Sequence, residues 1–556
     1  MFTRNYAVLF CFLAVATIAC QQKSKPPKQG QVRDTTHYTR EEYIDLAIDS
    51  NYVNRFLEAD TAYQPYEENI RNFYQKRNYH YAWINKDGLT EQAANFINLL
   101  KSGAPGMQDS SLINVPLQQL YDTLVVEGKG LKPGDTIIPR IEMMLTSQFF
   151  NYANKVWGGM TTDSAKDLEW FIPRKKLDLS SLLDSMVNKK GNAFEEDAPV
   201  NRQYNLLKGE LKKLADLADK GPWDSIKITQ KVLKKGDSAT AIAAVKMRLE
   251  ALGDLKAADS SRVFTAVLDT AIRNFQQRMG LKEDGTIQKP LLDAMNTPLQ
   301  SRIKQILVNM ERLRWVPVEP GSDYILVNIP QFQMHVYENG KLSWNCNVVV
   351  GKPGASTVIF NNDIRYVVFS PYWNVPPGIL GSEVLPGLKR SGAAYLNRLN
   401  MEIVGASGKV IPPSSINFSK YSGKNFPYIV RQKPGKSNSL GKVKFLFPNE
   451  YNIYLHDTPS RYLFGETKRS FSHGCIRVAE PKKLAMWLLR GDSSWTEKKI
   501  DEALNGTKEK YVTLKNKVPV FIGYFTAFVN YKGQLNFRDD VYGHDAKLAK
   551  LLFGEK

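Results

Sequence analysis

The chain has 556 residues, enough for about three to five domains at ~100–200 residues each. Hydrophobic residues make up 43% and charged residues 24%, globular values that exclude a chain disordered throughout and a membrane bundle. The net charge is +19, and the four Cys (Cys11, Cys20, Cys346, Cys475) and six His are too few for a disulfide scaffold or a zinc-finger array.

The N-terminal residues read as a leader. Arg4 supplies positive charge, and 7–19 is an apolar run of signal-peptide length, too short to span a bilayer comfortably. It ends Thr17-Ile18-Ala19-Cys20, which resembles a bacterial lipobox, where cleavage precedes a Cys whose thiol is lipidated. An ordinary cleaved signal with a chance Cys is the alternative. The residues after it are polar and Lys-rich with Pro26-Pro27, a tether composition that cannot bury a core. The expectation is a signal peptide over 1–19, lipidation at Cys20 and a flexible tether over 20–45. The product is then a periplasmic lipoprotein on the outer or inner membrane, with Gln21 favouring the outer. No other run of about 18 apolar residues occurs.

Residues 46–227 are patterned as helices, for example over 66–77, 90–101 and 139–156. In the last, Ile141, Met144, Leu145, Gln148, Phe149, Tyr152 and Val156 recur at helical steps. Thr90 sits where a helix cap is wanted. His80 lies among aromatic residues with no ligand-spaced partner and reads as packing. This segment is expected to be a scaffold. Residues 228–297 predict helices over 239–252 and 266–279 and a third from Lys289. Their Phe275-Gln276-Gln277…Gly280-Leu281…Asp284-Gly285 pattern is similar to three-helix peptidoglycan-binding modules of cell-wall enzymes; a generic three-helix bundle is the alternative. A linker helix is expected within 298–320.

From Asp323 the period shortens. Runs at 324–329 and 333–337 read as strands joined at Asn339-Gly340, a hairpin signal, and 344–350 and 364–369 continue the pattern. His335 and Cys346 alternate with apolar neighbours and read as packed strand residues. Residues 378–442 look like an insertion, either a capping lid or a plain surface segment. Residues 518–529 with Lys532-Gly533 read as a closing hairpin, within a C-terminal extension, 491–556, packing on a catalytic domain at 321–490.

The chemistry concentrates in two stretches, Tyr454-Leu455-His456-Asp457 and Ser472-His473-Gly474-Cys475-Ile476-Arg477. A catalytic thiol needs a base, donors for the oxyanion formed at an attacked carbonyl, and a partly exposed electropositive setting. His456 can be the base. Gly474 lets the backbone N–H groups of His473, Gly474 and Cys475 turn toward one point. Residues 455–490 hold seven Lys/Arg against three Asp/Glu. A metal site built from His456, Asp457, His473 and Cys475 lacks a second close pair, and Cys beside Gly between two His is poor packing composition. No metal and no cofactor are expected.

The Ser-His-Gly-Cys-Ile-Arg run, with His456 separated from Ser472 by fifteen residues, resembles the L,D-transpeptidase (YkuD-type) signature. Pro371-Tyr372-Trp373-Asn374 and the opening strands through Gly351 agree with it. The order of scaffold, bundle and catalytic domain is similar to large multidomain L,D-transpeptidases of Gram-negative bacteria. The resemblance implies an α+β multidomain fold: a strand-rich YkuD-type β-sandwich, a helical scaffold and a small three-helix bundle. It implies Cys475 as nucleophile, His456 as base oriented by the Asp457 carbonyl, and oxyanion donors from His473, Gly474 and Cys475. Ser472 and Asp457 support them, and Arg477, Tyr454 and Trp373 contact substrate. Asp457 departs from the Gly or Ser common at its position, and its carboxylate is placed to alter His456.

The implied reaction is peptidoglycan 3→3 cross-linking through a Cys thioester, with carbapenems acylating the same thiol. An L,D-carboxypeptidase or a transpeptidase attaching or removing wall-linked proteins is the alternative within the chemistry; a non-catalytic wall-binding lipoprotein is the alternative outside it. The implied partners are peptidoglycan stems and glycan, a membrane through the anchor, and the wall-synthesis machinery. Nucleic acid is not expected, because the Lys residues are dispersed and an exported chain rarely meets it.

Overall fold

A computed structural model describes residues 47–554 except 60, 104–111, 126–134, 161–167, 190, 192 and 319–320. The signal segment, Cys20 and the tether lie outside the described residues. Among the described residues no helix is long and apolar enough to cross a membrane.

The first unit is helical, with one short ladder, β1 (Ile84–Asn85) against β2 (Gly88–Leu89). Its centre is the helix Ile137–Tyr152, buried on nearly every face, with Phe149 packed against Phe96 and Phe194 and those two against Trp83. A helix that is wholly enclosed must satisfy any polar side chain it carries. Glu142 does so by accepting from Ala82 N (2.7 Å), Trp83 N (3.0 Å) and the Tyr74 hydroxyl (3.0 Å). Thr90 caps the helix Glu91–Ser102 by accepting from Ala93 N.

Residues 226–295 have a core of their own, built on Ile242, Leu249, Phe264, Ile272, Phe275 and Ile287. Its helices are Thr240–Ala251, Ala266–Arg278 and Lys289–Met295. Gln276 explains the motif around it. Its amide donates to Asp284 and its carbonyl accepts from Gly285 N, which closes the Asp284-Gly285 turn. Gly285 has φ +70°, and a Cβ there would meet Asp269 and Arg273.

The helix Leu299–Trp315 is a shared strut rather than a linker. Ile306, Val308, Met310, Leu313 and Trp315 are buried in the common core of scaffold and sheet. Glu311 accepts from Met160 N and Trp315 Nε1, and Arg314 donates to Val156 O, so the strut is bonded to the first unit.

The strand-rich part follows. β3 (Tyr324–Asn328) and β4 (Gln333–Glu338) alternate buried and more open residues, and β5 (Lys341–Gly351) and β6 (Phe360–Phe369) each end in a run of buried residues. The Asn339-Gly340 turn joins β4 to β5, not β3 to β4. Its residues have φ +50° and +70°, the pair a tight hairpin wants. β3 passes to β4 through the turn Ile329–Gln331. Next come β7 (Trp373–Asn374), β8 (Met401–Val404), β9 (Val410–Ile411) and β10 (Ile429–Gln432), a separate sheet in the order β7-β10-β8-β9. Helical turns over 377–398 cover it, and Leu380, Leu385, Leu388, Ile403 and Val430 form its own small core. The insertion is thus a folded subdomain.

β11 (Val443–Leu446), β12 (Leu455–His456), β13 (Ser470–Ser472) and β14 (Ile476–Val478) return the chain to the main sheet. β15 (Lys510–Gly523) corrects the expected C-terminal boundary. It runs between β6 and β3, antiparallel to one and parallel to the other, so residues beyond 490 are part of the sheet and not an extension laid on it. The hairpin is β16 (Ala527–Val529) with β17 (Leu535–Phe537), further on than expected. The main pairings close on themselves through β5-β14-β12-β11-β6-β15-β3-β4 and back to β5, with β13 added on β5. β5 achieves this by pairing with β4 through its first half and with β14 and β13 through its last residues.

Candidate active site

β12 and β14 are parallel neighbours, with Leu455 opposite Ile476 and His456 opposite Arg477. Side chains alternate across a strand, so Leu455 and Ile476 share the buried face and His456 and Arg477 the other. Cys475 stands one residue before β14, opposite Tyr454, on the face of His456 and Arg477. The ladder continues there, with Ile476 N donating to Tyr454 O at 3.1 Å. The Tyr454 and His456 rings meet edge to face, centroids 5.7 Å apart. Two adjacent parallel strands thereby bring together thiol, imidazole, phenol and guanidinium.

His456 is buried, and its Nδ1 lies 2.5 Å from Asp457 O. A carbonyl only accepts, so Nδ1 carries the hydrogen and Nε2 presents a lone pair. Burial first, then the charge of Arg477, push the imidazole pKa down to about 3. The group is therefore a neutral base at rest. Burial pushes the half-buried Cys475 thiol above its ordinary value, while hydrogen bonds from Tyr454 and the Arg477 charge pull it back. Cys475 Sγ also lies 3.5 Å from Asn452 O, the carbonyl of a residue with φ +55°. The resting pair is thus thiol and imidazole, and the proton moves as the sulfur attacks.

The nucleophile loop is tied from below. Ser472 is buried, and its hydroxyl donates to Cys475 O (2.6 Å) and accepts from Gly474 N (3.1 Å). Gly474 N–H is therefore committed to Ser472, which removes it from the oxyanion donors expected of the loop. Gly474 itself has φ +116°, which explains the glycine. Its carbonyl accepts from Thr357 Oγ1 at 2.7 Å, and Thr357 Oγ1 accepts from Gly351 N at 2.9 Å. Tyr542 closes the frame by donating its hydroxyl to Gly351 O (2.6 Å) and accepting from Thr357 N (3.3 Å).

The Asp457 side chain has partners of its own, away from the imidazole. Its carboxylate accepts from Lys442 N (2.8 Å) and from Arg461 (3.3 Å). It packs so close to Gly441 that a Cβ there would overlap it. Asp457 thus holds the strand by which the inserted subdomain returns to the sheet. Trp373 lies on β7, packed on the core of that subdomain opposite Gln432. Glu383, also in the subdomain, approaches His473 Nε2 at 3.4 Å. Thr357, Tyr542 and Glu383 carried no sequence signal, because each acts through a contact more than 80 residues away.

Cys346 is buried on β5, with its thiol pushed up to about 11 by burial. Among the described residues no group of three or more His, Cys, Asp or Glu is placed to hold a metal ion.

Three segments of the chain match known domain families. Residues 322–502 match the YkuD family, described as L,D-transpeptidase catalytic domain. Residues 68–211 match a scaffold domain, and 238–295 match "Putative peptidoglycan binding domain". A Haemophilus influenzae protein named "Putative L,D-transpeptidase" is 35% identical over 253 residues, 45% of this chain and 50% of that protein. The chain thus spans about half the length of the curated relative it matches. Among solved structures, an L,D-transpeptidase from Stackebrandtia nassauensis is 14% identical with TM-score 0.22, covering 54% of this chain and 98% of its own. One from Xylanimonas cellulosilytica is 12% identical with TM-score 0.17, covering 53% and 100%. Segments that match a scaffold domain, a putative peptidoglycan binding domain and the L,D-transpeptidase catalytic domain thus follow one another in this chain, and the thiol and imidazole described above lie in the last of them.

Proposed function

We propose that this chain is a peptidoglycan L,D-transpeptidase that forms 3→3 cross-links through a thioester on Cys475. The observation that carries the reading is the neutral His456, its Nδ1 hydrogen held by Asp457 O, on the sheet face it shares with Cys475. Cys475 Sγ attacks the carbonyl of the third residue of a donor tetrapeptide stem while His456 Nε2 takes the thiol proton. The loop amides of His473 and Cys475 meet the oxyanion. Collapse expels D-alanine, whose amine takes the proton from His456, and leaves the thioester. The side-chain amine of a second stem then attacks, His456 accepts its proton and returns it to sulfur, and the C–S bond breaks. No cofactor enters this balance.

The folded subdomain over the loop favours transfer to an amine over hydrolysis, because it limits water at the thioester. Carbapenems acylate the same thiol in this reading. The N-terminal pattern supports export, lipidation at Cys20 and residence on the periplasmic face of the outer or inner membrane, with Gln21 favouring the outer, beside the wall and its synthesis machinery.

Intact-mass measurement tests the reaction. Incubation with a tetrapeptide stem should add the stem less D-alanine, and incubation with a carbapenem should add one drug. An adduct retained in Cys475→Ser overturns the mechanism. Product analysis with an acceptor stem separates cross-linking from trimming and from protein attachment.

A further inference from the structure

The scaffold reaches the loop beside the thiol. Its chain meets the sheet at Trp170, which forms a parallel bridge with Ile359 just before β6 begins. Phe171 N donates to Ile359 O at 2.9 Å. Neighbours on an extended chain point opposite ways. Trp170 is buried against Trp315 of the strut and against Phe525. Phe171 is 41% exposed and meets the ring of Tyr451, centroids 5.4 Å apart. The turn that delivers the two is fixed as well: Glu169 has φ +58°, and its carboxylate approaches Lys547 at 3.6 Å.

Tyr451 carries this contact toward the site. Its ring also meets Phe360, the first residue of β6, centroids 5.0 Å apart. Asn449 sets the shape of the loop by accepting from Tyr451 N (3.0 Å) and Ile453 N (3.2 Å) and donating to Ile453 O (2.8 Å). A loop closed on itself in this way moves as a piece, so the contacts of Tyr451 decide where it stands. The next residue, Asn452, presents the carbonyl that lies 3.5 Å from Cys475 Sγ. A carbonyl only accepts, so it takes the S–H hydrogen bond at rest and fixes the sulfur, while the proton stays on sulfur for His456 to remove.

We propose that Phe171 is a positioning residue for acyl transfer: from the scaffold, through Tyr451, it sets the Asn452 carbonyl and with it the sulfur of Cys475. The proposal rests on the reading above, in which Cys475 is the nucleophile. It gives the scaffold a part in the reaction. The sheet supplies thiol and base, and the scaffold supplies one support of the loop beside them. A displacement of about 1 Å at a reacting atom costs up to about a hundredfold in rate. Phe171 acts on the sulfur through an intervening side chain, so a loss of about tenfold is expected.

The test uses the full chain. Phe171→Ala should lower the rate of Cys475 acylation at saturating donor stem about tenfold, with the half-saturating donor concentration changed less than about twofold. Phe171→Tyr keeps the ring and should restore the rate. Tyr451→Leu should cost about as much as Phe171→Ala, and the two together little more, because they remove one contact. Phe171→Leu carries the same expectation if Phe171→Ala does not fold. An unchanged rate, a loss confined to donor affinity, a rate that Phe171→Tyr does not restore, or fully additive losses each overturn the proposal. Amide hydrogen exchange over 449–454 reads the loop without the reaction: it should quicken in Phe171→Ala, and equal exchange overturns the proposal too. A wild-type chain that no stem acylates removes the transpeptidase reading and leaves the exchange measurement to decide on Phe171.

Discussion

The hydroxyl of Thr357 donates to the carbonyl of Gly474 at 2.7 Å, across 117 residues of sequence. It is the buried contact that fixes the peptide just before the nucleophile, and the same hydroxyl accepts from Gly351 N on β5. Thr357→Val keeps shape and loses both bonds, leaving a buried carbonyl and a buried N–H without partners. The expected cost is ~1–3 kcal/mol of stability. Acylation of Cys475 should slow at saturating donor more than donor affinity falls, because the thiol and loop amides lose their placement. Tyr542→Phe, which keeps the Thr357 bond to Gly474, should show the smaller loss of rate. Thermal unfolding and single-turnover acylation read both.

His456 predicts the pH behaviour. Its imidazole is held down to about 3, so the base form is present throughout the neutral and mildly acid range. The pH profile of acylation kcat/KM should therefore show no acid limb from His456 between pH 5 and 7. Arg477→Gln removes a charge that lowers His456, so the imidazole should rise and an acid limb should move toward the measured range. A chemical-shift titration of His456 in both proteins checks the sign directly. An unchanged imidazole in Arg477→Gln contradicts it.

The same depression affects stability. An unfolded imidazole titrates near ~6.5. His456 stays proton-free to about 3, and His335, half-buried and held down by desolvation and the charge of Arg538, to about 4. Between those values the unfolded chain binds more protons than the folded one. The contribution is therefore complete above about pH 6.5 and is lost as pH falls through the window. The melting temperature should drop from pH 6.5 toward pH 4, and His335→Gln should make that slope shallower. An equal slope in the variant counts against the assignment.

How far these features were legible depends on the distance over which each residue acts. The spacing from His456 to Cys475 is local enough to read, and alternation across a strand then places both on one face. Strands with regular alternation, such as β4, were visible in the pattern. Only the end of β15 shows in the pattern, as one arm of the hairpin expected over 518–529, because Lys510, Lys515 and Lys517 and the interior Pro519 make the strand look like an exposed edge. The sheet tolerates Pro519 because the pairing with β3 starts only at Val520, while Pro519 faces Asp363 of β6 beyond a bulge. Asp457 shows the same limit of distance. Its neighbour in sequence is the base, but its carboxylate points to Lys442, fifteen residues back.

Gly441 tests that reading of Asp457. It has φ +60°, and a Cβ would sit within 2.3 Å of the Asp457 carboxylate. Gly441→Ala should cost ~1–3 kcal/mol from backbone strain and overlap together. Asp457→Asn should leave the His456 titration unshifted, since the carboxylate is absent from the causes that move it. It should instead raise proteolytic cutting near Lys442. A shifted imidazole would show that Asp457 tunes the base after all.

The contact between Glu383 and His473 makes the last prediction. Glu383 belongs to the inserted subdomain and His473 to the nucleophile loop, and their 3.4 Å approach joins the two across the site. Both side chains are partly exposed, so the pair contributes little to global stability. Its effect should appear in the fate of the thioester, where the position of the subdomain decides between water and an acceptor amine. Glu383→Gln removes the charge and keeps the shape. Acylation by a donor stem should change less than twofold, whereas the share of thioester lost to hydrolysis should rise severalfold at fixed acceptor concentration. His473→Gln should raise that share as well, and the double variant should add little to either single change if the two act as one contact. Chromatography of trimmed and cross-linked products after a single turnover measures the ratio. Fully additive effects would mean that the two side chains act separately on the loop and the subdomain.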